Sequence, residues 1–189
     1  VMNRGGIAVR LINFAKAIVG PLPGGLAFVN IISCMLFGAI SGSAAAAASA
    51  IGGFMTPMME KEGYDKPFSA AVNITSATTG LIIPPSNILI IYSLASGGVS
   101  IAALFIAGYI PGIILGIALM VVAAIYSFIK KYPTEKMVGI KEFFKRFLDA
   151  MPSLLLLIVV IGGIVAGIFT ATEASAIAVI YTFVLAAIY

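Results

Sequence analysis

Histidine is absent from this 189-residue chain, and cysteine occurs once. The first absence removes the side chain that most readily carries protons near neutral pH. The second rules out an internal disulfide and leaves the redox compartment unread; Cys34, inside an apolar run, reads as a small packing residue. Charge is scarce too: 10% of residues are charged, 61% are hydrophobic, and the mean hydropathy is +1.16. That composition points to a membrane protein rather than a soluble domain. No Asp, Glu, Lys or Arg occurs in the 43 residues between Lys16 and Glu60, or in the 63 between Lys66 and Lys130. The net charge of +4 does not mark a nucleic-acid partner, because the basic residues flank apolar segments without forming an aromatic-interleaved patch. Positive-inside orientation in a lipid bilayer accounts for them. No basic n-region, short apolar stretch and small-residue cleavage site reads as a signal peptide. The chain starts at Val1 and ends inside an apolar run at Tyr189, so it is expected to be part of a larger protein, with room for about five or six crossings.

What is present divides the chain into five segments. Residues 1–25 are expected to form an interfacial lead-in: Arg4, Arg10 and Lys16 fall among Ile7, Leu11, Phe14 and Ile18 at amphipathic spacing, before a Pro-Leu-Pro-Gly-Gly turn. Residues 26–59 contain two short apolar stretches, 26–40 and 44–59, around Ser41-Gly42-Ser43. A single tilted helix over that region would run about 50 Å with two Gly breaks, so a re-entrant hairpin is the preferred reading. Residues 60–129 begin with a short aqueous loop, continue as a helix over 68–77, and break at Thr-Thr-Gly-Leu-Ile-Ile-Pro-Pro-Ser-Asn, 78–87, where Pro84-Pro85 removes two backbone donors. The stretch 99–129 reads as a short helix plus a span beginning near Pro111. Residues 130–150, with Phe143, Phe144, Phe147 and Leu148 among charges, are expected to be a cytoplasmic surface helix, the arm. Residues 151–189 then hold two further crossings; Thr170 and Glu173 have capping-box spacing, which gives the isolated acid a structural role.

Interrupted backbone in hydrocarbon leaves polar groups unpaired, at several kcal/mol each, and survives only where it lines a cavity or meets protein. Two breaks close in sequence therefore imply a site between them, and paired short, Gly/Pro-interrupted segments are the sequence mark of a secondary transporter's midplane site. Neither break carries an ionisable residue, so a proton relay has no carrier. A monovalent hard cation held by neutral oxygens fits: carbonyls near Gly80, Ile83 and Pro85, and hydroxyls of Ser41, Ser43, Thr78, Thr79 and Ser86. Sodium suits that donor set best. The blander reading makes Ser41 and Ser43 packing residues and Pro84-Pro85 a kink.

These same stretches, from Leu-Pro-Gly-Gly-Leu-Ala through Ser41-Gly42-Ser43 and Thr79-Gly80-Leu-Ile-Ile-Pro-Pro-Ser86 to Thr-Ala-Thr-Glu at 170–173, resemble the large membrane subunit of tripartite ATP-independent periplasmic (TRAP) transporters. The resemblance implies an all-α integral membrane protein of the inverted-repeat, elevator type, a multi-helix bundle with a re-entrant hairpin and a broken transmembrane helix. It implies multi-pass placement in a bacterial inner membrane and sodium-driven uptake of small organic acids such as C4-dicarboxylates or sialic acid. A small membrane subunit and a periplasmic substrate-binding protein would be the partners. No cofactor beyond the coupling sodium ion, and no enzymatic chemistry, is expected. Carried onto this chain, Ser41, Gly42, Ser43, Gly80, Ile83 and Pro85 would make a sodium site, and Thr78, Thr79, Ser86 and Asn87 one wall of the substrate site. A docking subunit without its own ion site and a cation channel are the alternative readings.

Overall fold

The computed structural model describes residues 7–134 and 139–188; Arg4, Glu135 and Lys136 of the charged flanks lie outside the described residues. Those described residues form helices and no strand: α1 (Ile7–Val19), α2 (Gly25–Ser41), α3 (Ala44–Lys61), α4 (Lys66–Thr79), α5 (Asn87–Ala95), α6 (Ile101–Lys130), α7 (Ile140–Val165) and α8 (Ala171–Ile188).

Local chemistry folds α2 back on α3. Gly42 adopts φ +62°, left-handed, and its N–H donates to Gly38 O at 2.8 Å, closing α2. The next residue, Ser43, is extended, and its hydroxyl accepts from the Ala46 N–H at 3.3 Å, opening α3. A glycine C-cap followed directly by a serine N-cap satisfies orphan groups on both sides of a two-residue break. The two helices then pack on each other, and α4 packs on both, so 26–59 is not one rod. Ile7, Leu11 and Ile12 of α1 join Leu26, Val29 and Ile31 of α2 and Ile51, Met55 and Met59 of α3 in the main core. A smaller core gathers Phe105 with Leu156, Val160, Ile164 and Ala174.

Two expected boundaries are absent. Pro111 lies inside α6, a single 30-residue helix, instead of starting a second one. It removes one bond, to the Ala107 carbonyl, while the flanking Gly108 and Gly112 let the helix pack against Ile82 O and the Ile83 side chain, where a Cβ would stand 2.7 and 2.6 Å away. The charged surface stretch and the following span are likewise one helix, the 26-residue α7, with Pro152 inside. No glycine stands between Ile140 and Leu157 to break it. Its amphipathic half packs on α1, where Phe14 lies 5.7 Å from Phe147 between ring centroids and Arg10 reaches Asp149 at 3.8 Å. Both α6 and α7 are long and apolar enough to cross a bilayer.

The expected loop over 60–67 is shorter, residues 62–65 between α3 and α4, and it is anchored to the end of α6. Lys130 Nζ lies 2.9 Å from Asp65 Oδ2, the Tyr126 hydroxyl donates to that oxygen at 3.3 Å, and the Asp65 N–H donates to the Tyr132 hydroxyl at 3.1 Å. Tyr64 stacks on Tyr132 with centroids 4.1 Å apart, and Phe68 on Tyr126 at 4.5 Å. Offset ring pairs of this kind add to the burial they bring.

Candidate functional site

The break between α4 and α5 leaves part of its backbone without hydrogen-bond partners among the described residues. In a continued helix the Gly80 and Leu81 carbonyls would receive the N–H groups of residues 84 and 85, and both residues are proline. The Ser86 hydroxyl donates to Leu81 O in place of the missing bond. The Leu81 and Ile82 N–H groups donate to Thr78 O and Thr79 O, each at 3.1 Å. Gly80, Ile83 and Pro85 are left with carbonyls that accept nothing from the described residues. Just beyond, α5 begins with no side chain capping it, so its first amides are open.

The hairpin tip lies against this break. A Cβ placed on Gly80 would sit 2.6 Å from Gly38 Cα and 2.7 Å from Cys34 O, so α2 and α4 touch backbone to backbone. A Cβ on Gly42 would sit 2.6 Å from Asn87 Nδ2. Ser41, Gly42, Pro85 and Asn87 share a cavity of about 180 Å³ closed by Phe105 and by residues of α7 and α8. A wider cleft of about 610 Å³ continues from it past Ile40 and Ser41 to Ser49 and Thr182. Neutral oxygens beside open helix-N-terminal amides form a place that can hold a small cation next to an anion.

The predicted residues divide around that cavity. Ser43 is committed to capping α3, and its own N–H is 3.4 Å from Ser41 Oγ. The Thr78 and Thr79 hydroxyls both donate back to Thr75 O, at 2.7 and 3.4 Å, and neither residue lines the cavity. Ser86 is fully buried. The Ile83 side chain faces away, into an apolar cavity of about 520 Å³ with Pro84 and Tyr109. Thr170 and Glu173 pair reciprocally at the start of α8: the Thr170 N–H donates to Glu173 Oε2 at 2.8 Å, and the Glu173 N–H to Thr170 Oγ1 at 3.3 Å. That cap orients the turn whose Ala174 and Ser175 wall the cavity.

Three features escape a reading of the sequence alone. Gly38 is what lets α4 reach α2, and its signal was the four-residue spacing of small residues at Cys34, Gly38 and Gly42. Asn30 and Asn73 are buried amides in apolar helices, and their isolation among apolar neighbours was the available sign. They converge on Cys34, whose thiol lies 3.3 Å from Asn30 Oδ1 and 3.6 Å from Asn73 Oδ1.

Residues 1–189 match the family described as "Tripartite ATP-independent periplasmic transporter, DctM component". The chain is 60% identical over 189 residues, all of its length, to a Salmonella typhimurium protein named "Uncharacterized protein YgiK", of which it covers 43%. It is 43% identical over 185 residues (98% of its length) to the C4-dicarboxylate TRAP transporter large permease protein DctM of Vibrio cholerae, covering 41% of that protein. The sialic acid TRAP transporter large permease protein SiaM of Vibrio cholerae is 40% identical over 181 residues, 96% of this chain and 42% of SiaM. The chain therefore spans less than half the length of these relatives.

Proposed function

The chain belongs to the DctM component family of tripartite ATP-independent periplasmic transporters, and on that basis we propose that it is part of a large permease that takes up small organic acids by coupling to sodium. Its relatives with assigned roles are transporter permeases, not enzymes. Two of them, 43% and 40% identical, are named for a C4-dicarboxylate and for sialic acid, so this region supports a class of substrate and not one member of it.

The observation that carries the reading is the cavity that Ser41 and Gly42 of the hairpin tip share with Pro85, whose carbonyl accepts nothing from the described residues, and with Asn87. The coupling ion rests among the oxygens of Ser41, Gly42 and Ser43 and the carbonyls of Gly80, Ile83 and Pro85. Its supporting fit is that Pro84 leaves the Gly80 carbonyl without its helical donor, the carbonyls of Ile83 and Pro85 accept nothing from the described residues, and no charged side chain lines the cavity. The substrate carboxylate lies at the open N-terminus of α5 with Ser86 and Asn87, and Thr78 and Thr79 border the same break. Bound sodium supplies positive charge beside that carboxylate. The hairpin is re-entrant, its unit moves across a bacterial inner membrane in the elevator manner, and a small membrane subunit and a periplasmic binding protein complete the transporter.

Uptake of labelled C4-dicarboxylate and sialic acid into proteoliposomes holding the full-length permease with both partners tests this. Uptake that needs an inward sodium gradient and saturates with substrate is expected. Sodium-independent uptake, or ohmic flux without substrate coupling, would overturn it.

A further inference from the structure

Below the site, α2, α3 and α4 meet at a buried polar node. Asn73 lies on α4 seven residues before Gly80, and Cys34 lies on α2 seven residues before Ser41, about two turns or 10 Å from the break on each helix. The Asn73 amide donates to Ala48 O of α3 at 2.9 Å, and its Oδ1 is 3.6 Å from Cys34 Sγ of α2. Cys34 has one thiol proton and a second acceptor, Asn30 Oδ1 at 3.3 Å; the Asn30 amide in turn faces Met59 Sδ at 3.8 Å. Asn73 thus touches both arms of the hairpin from the third helix.

The backbone accommodates Asn73 at a specific notch. A Cβ on Gly52 of α3 would lie 2.2 Å from Asn73 Nδ2, whereas a Cβ on the adjacent Gly53 would meet nothing within 4 Å. The other close contact of these helices, Gly38 on Gly80, is backbone against backbone with no hydrogen bond between the two residues. Such a contact sets how near α4 comes but does not resist sliding along it. A directional bond in a low-dielectric interior does, because displacing it leaves the buried Asn73 amide without its acceptor.

We propose that Asn73 is a positioning residue for the cation site: it clamps the α2–α3 hairpin to α4 at one height, so that the Ser41–Ser43 tip and the carbonyls of Gly80, Ile83 and Pro85 keep the spacing a small cation requires. The inference rests on the sodium-coupled reading above. Ligand sets of this kind work only when held to about 0.5 Å, and Asn73 supplies that constraint without touching the ion. Hairpin and α4 then move as one body.

The test uses the full-length permease, reconstituted with its partners, as wild type, Asn73→Ala, Gly52→Ala, the double variant and Gly53→Ala. Two quantities are read: the sodium concentration for half-maximal uptake, set against the maximal rate, and the rate of N-ethylmaleimide labelling at Cys34 by peptide mass spectrometry. Asn73→Ala and Gly52→Ala should each raise half-saturating sodium about five-fold, the effect of roughly one lost buried hydrogen bond, with the maximal rate little changed. The double variant should be no worse than Asn73→Ala alone, because Asn73→Ala already removes the amide that the new methyl group of Gly52→Ala would displace. Gly53→Ala should match wild type, and Cys34 labelling should accelerate in the first three variants. Faster labelling with an unchanged sodium requirement would reduce the node to packing and overturn the inference, as would additive single effects or a loss confined to the maximal rate. Sodium-independent uptake by the wild type is a different result: it removes the transport reading itself, and this inference with it. Should Asn73→Ala fail to assemble, Gly52→Ala against Gly53→Ala decides on the same criterion.

Discussion

Gly80→Ala isolates the contact that brings the two breaks together. Gly80 has φ −62° and ψ −22°, so alanine meets no backbone penalty there, and its effect on the folded state is steric. The new methyl group would stand 2.6 Å from Gly38 Cα and 2.7 Å from Cys34 O, both backbone atoms that cannot rotate away. Restoring ordinary contact at 3.4 Å means separating α2 from α4 by about 0.8 Å. Overpacking of this kind costs about 1–3 kcal/mol, while the stiffer unfolded chain returns about 0.4–1 kcal/mol. A net loss of about 1–2 kcal/mol is expected, enough to raise half-saturating sodium roughly ten-fold if it falls on the ion site. Thermal aggregation in detergent and sodium-dependent uptake measure the two consequences. Gly162→Ala is the control, since a Cβ there meets nothing within 4 Å. A Gly80→Ala protein as stable as Gly162→Ala, with wild-type sodium dependence, would refute the claim that the close approach shapes the site. Adding Gly38→Ala should cost less than the sum of the two, because both methyl groups press on one contact.

Three further outcomes follow from the geometry. Ser43→Ala removes the N-cap of α3 and should lower stability by about 1 kcal/mol, with Ser43→Asp restoring most of it; equal melting of Ala and Asp variants would deny the cap. Glu173→Ala breaks the reciprocal pair with Thr170 and should loosen the start of α8, while Glu173→Gln keeps most of the pairing; faster hydrogen exchange at the first turn of α8 in the Ala variant alone reads the difference. At Asp65, the Lys130 ammonium first, then the Tyr132 and Tyr126 hydroxyls, hold the carboxyl below its ordinary value of 3.8. A lowered value stabilises the fold above the unfolded-state pKa and is lost as pH falls through the folded one, so wild type and Asp65→Asn should differ by a constant amount near neutrality and converge in acid. A difference that widens on acidification would contradict the sign, and high salt should shrink it because the pair is exposed.

The places where the chain breaks were legible because their causes are local. Glycine at the end of α2, serine at the start of α3, two prolines after α4 and the Thr170–Glu173 pair each act within a few residues. The same local reasoning placed boundaries at Pro111 and after residue 150 that the helices do not honour. A single proline removes only one bond, and neighbouring packing outweighs it.

Composition and residue order by themselves determined that this is an all-helical chain of membrane character, with two interruptions free of ionisable groups, and of a recognisable family. Only the tertiary structure decided which of the candidate oxygens share a space. Ser41 and Asn87 line one cavity, Thr78 and Thr79 turn back to Thr75, and Asn73 reaches across to both arms of the hairpin. Those outcomes depend on how near α4 comes to α2 and α3, which is set by Gly38 and Gly52, 42 and 21 residues away from their contacts at Gly80 and Asn73. Periodicity reports which face of a helix is apolar; it carries no information on which distant glycine that face will meet.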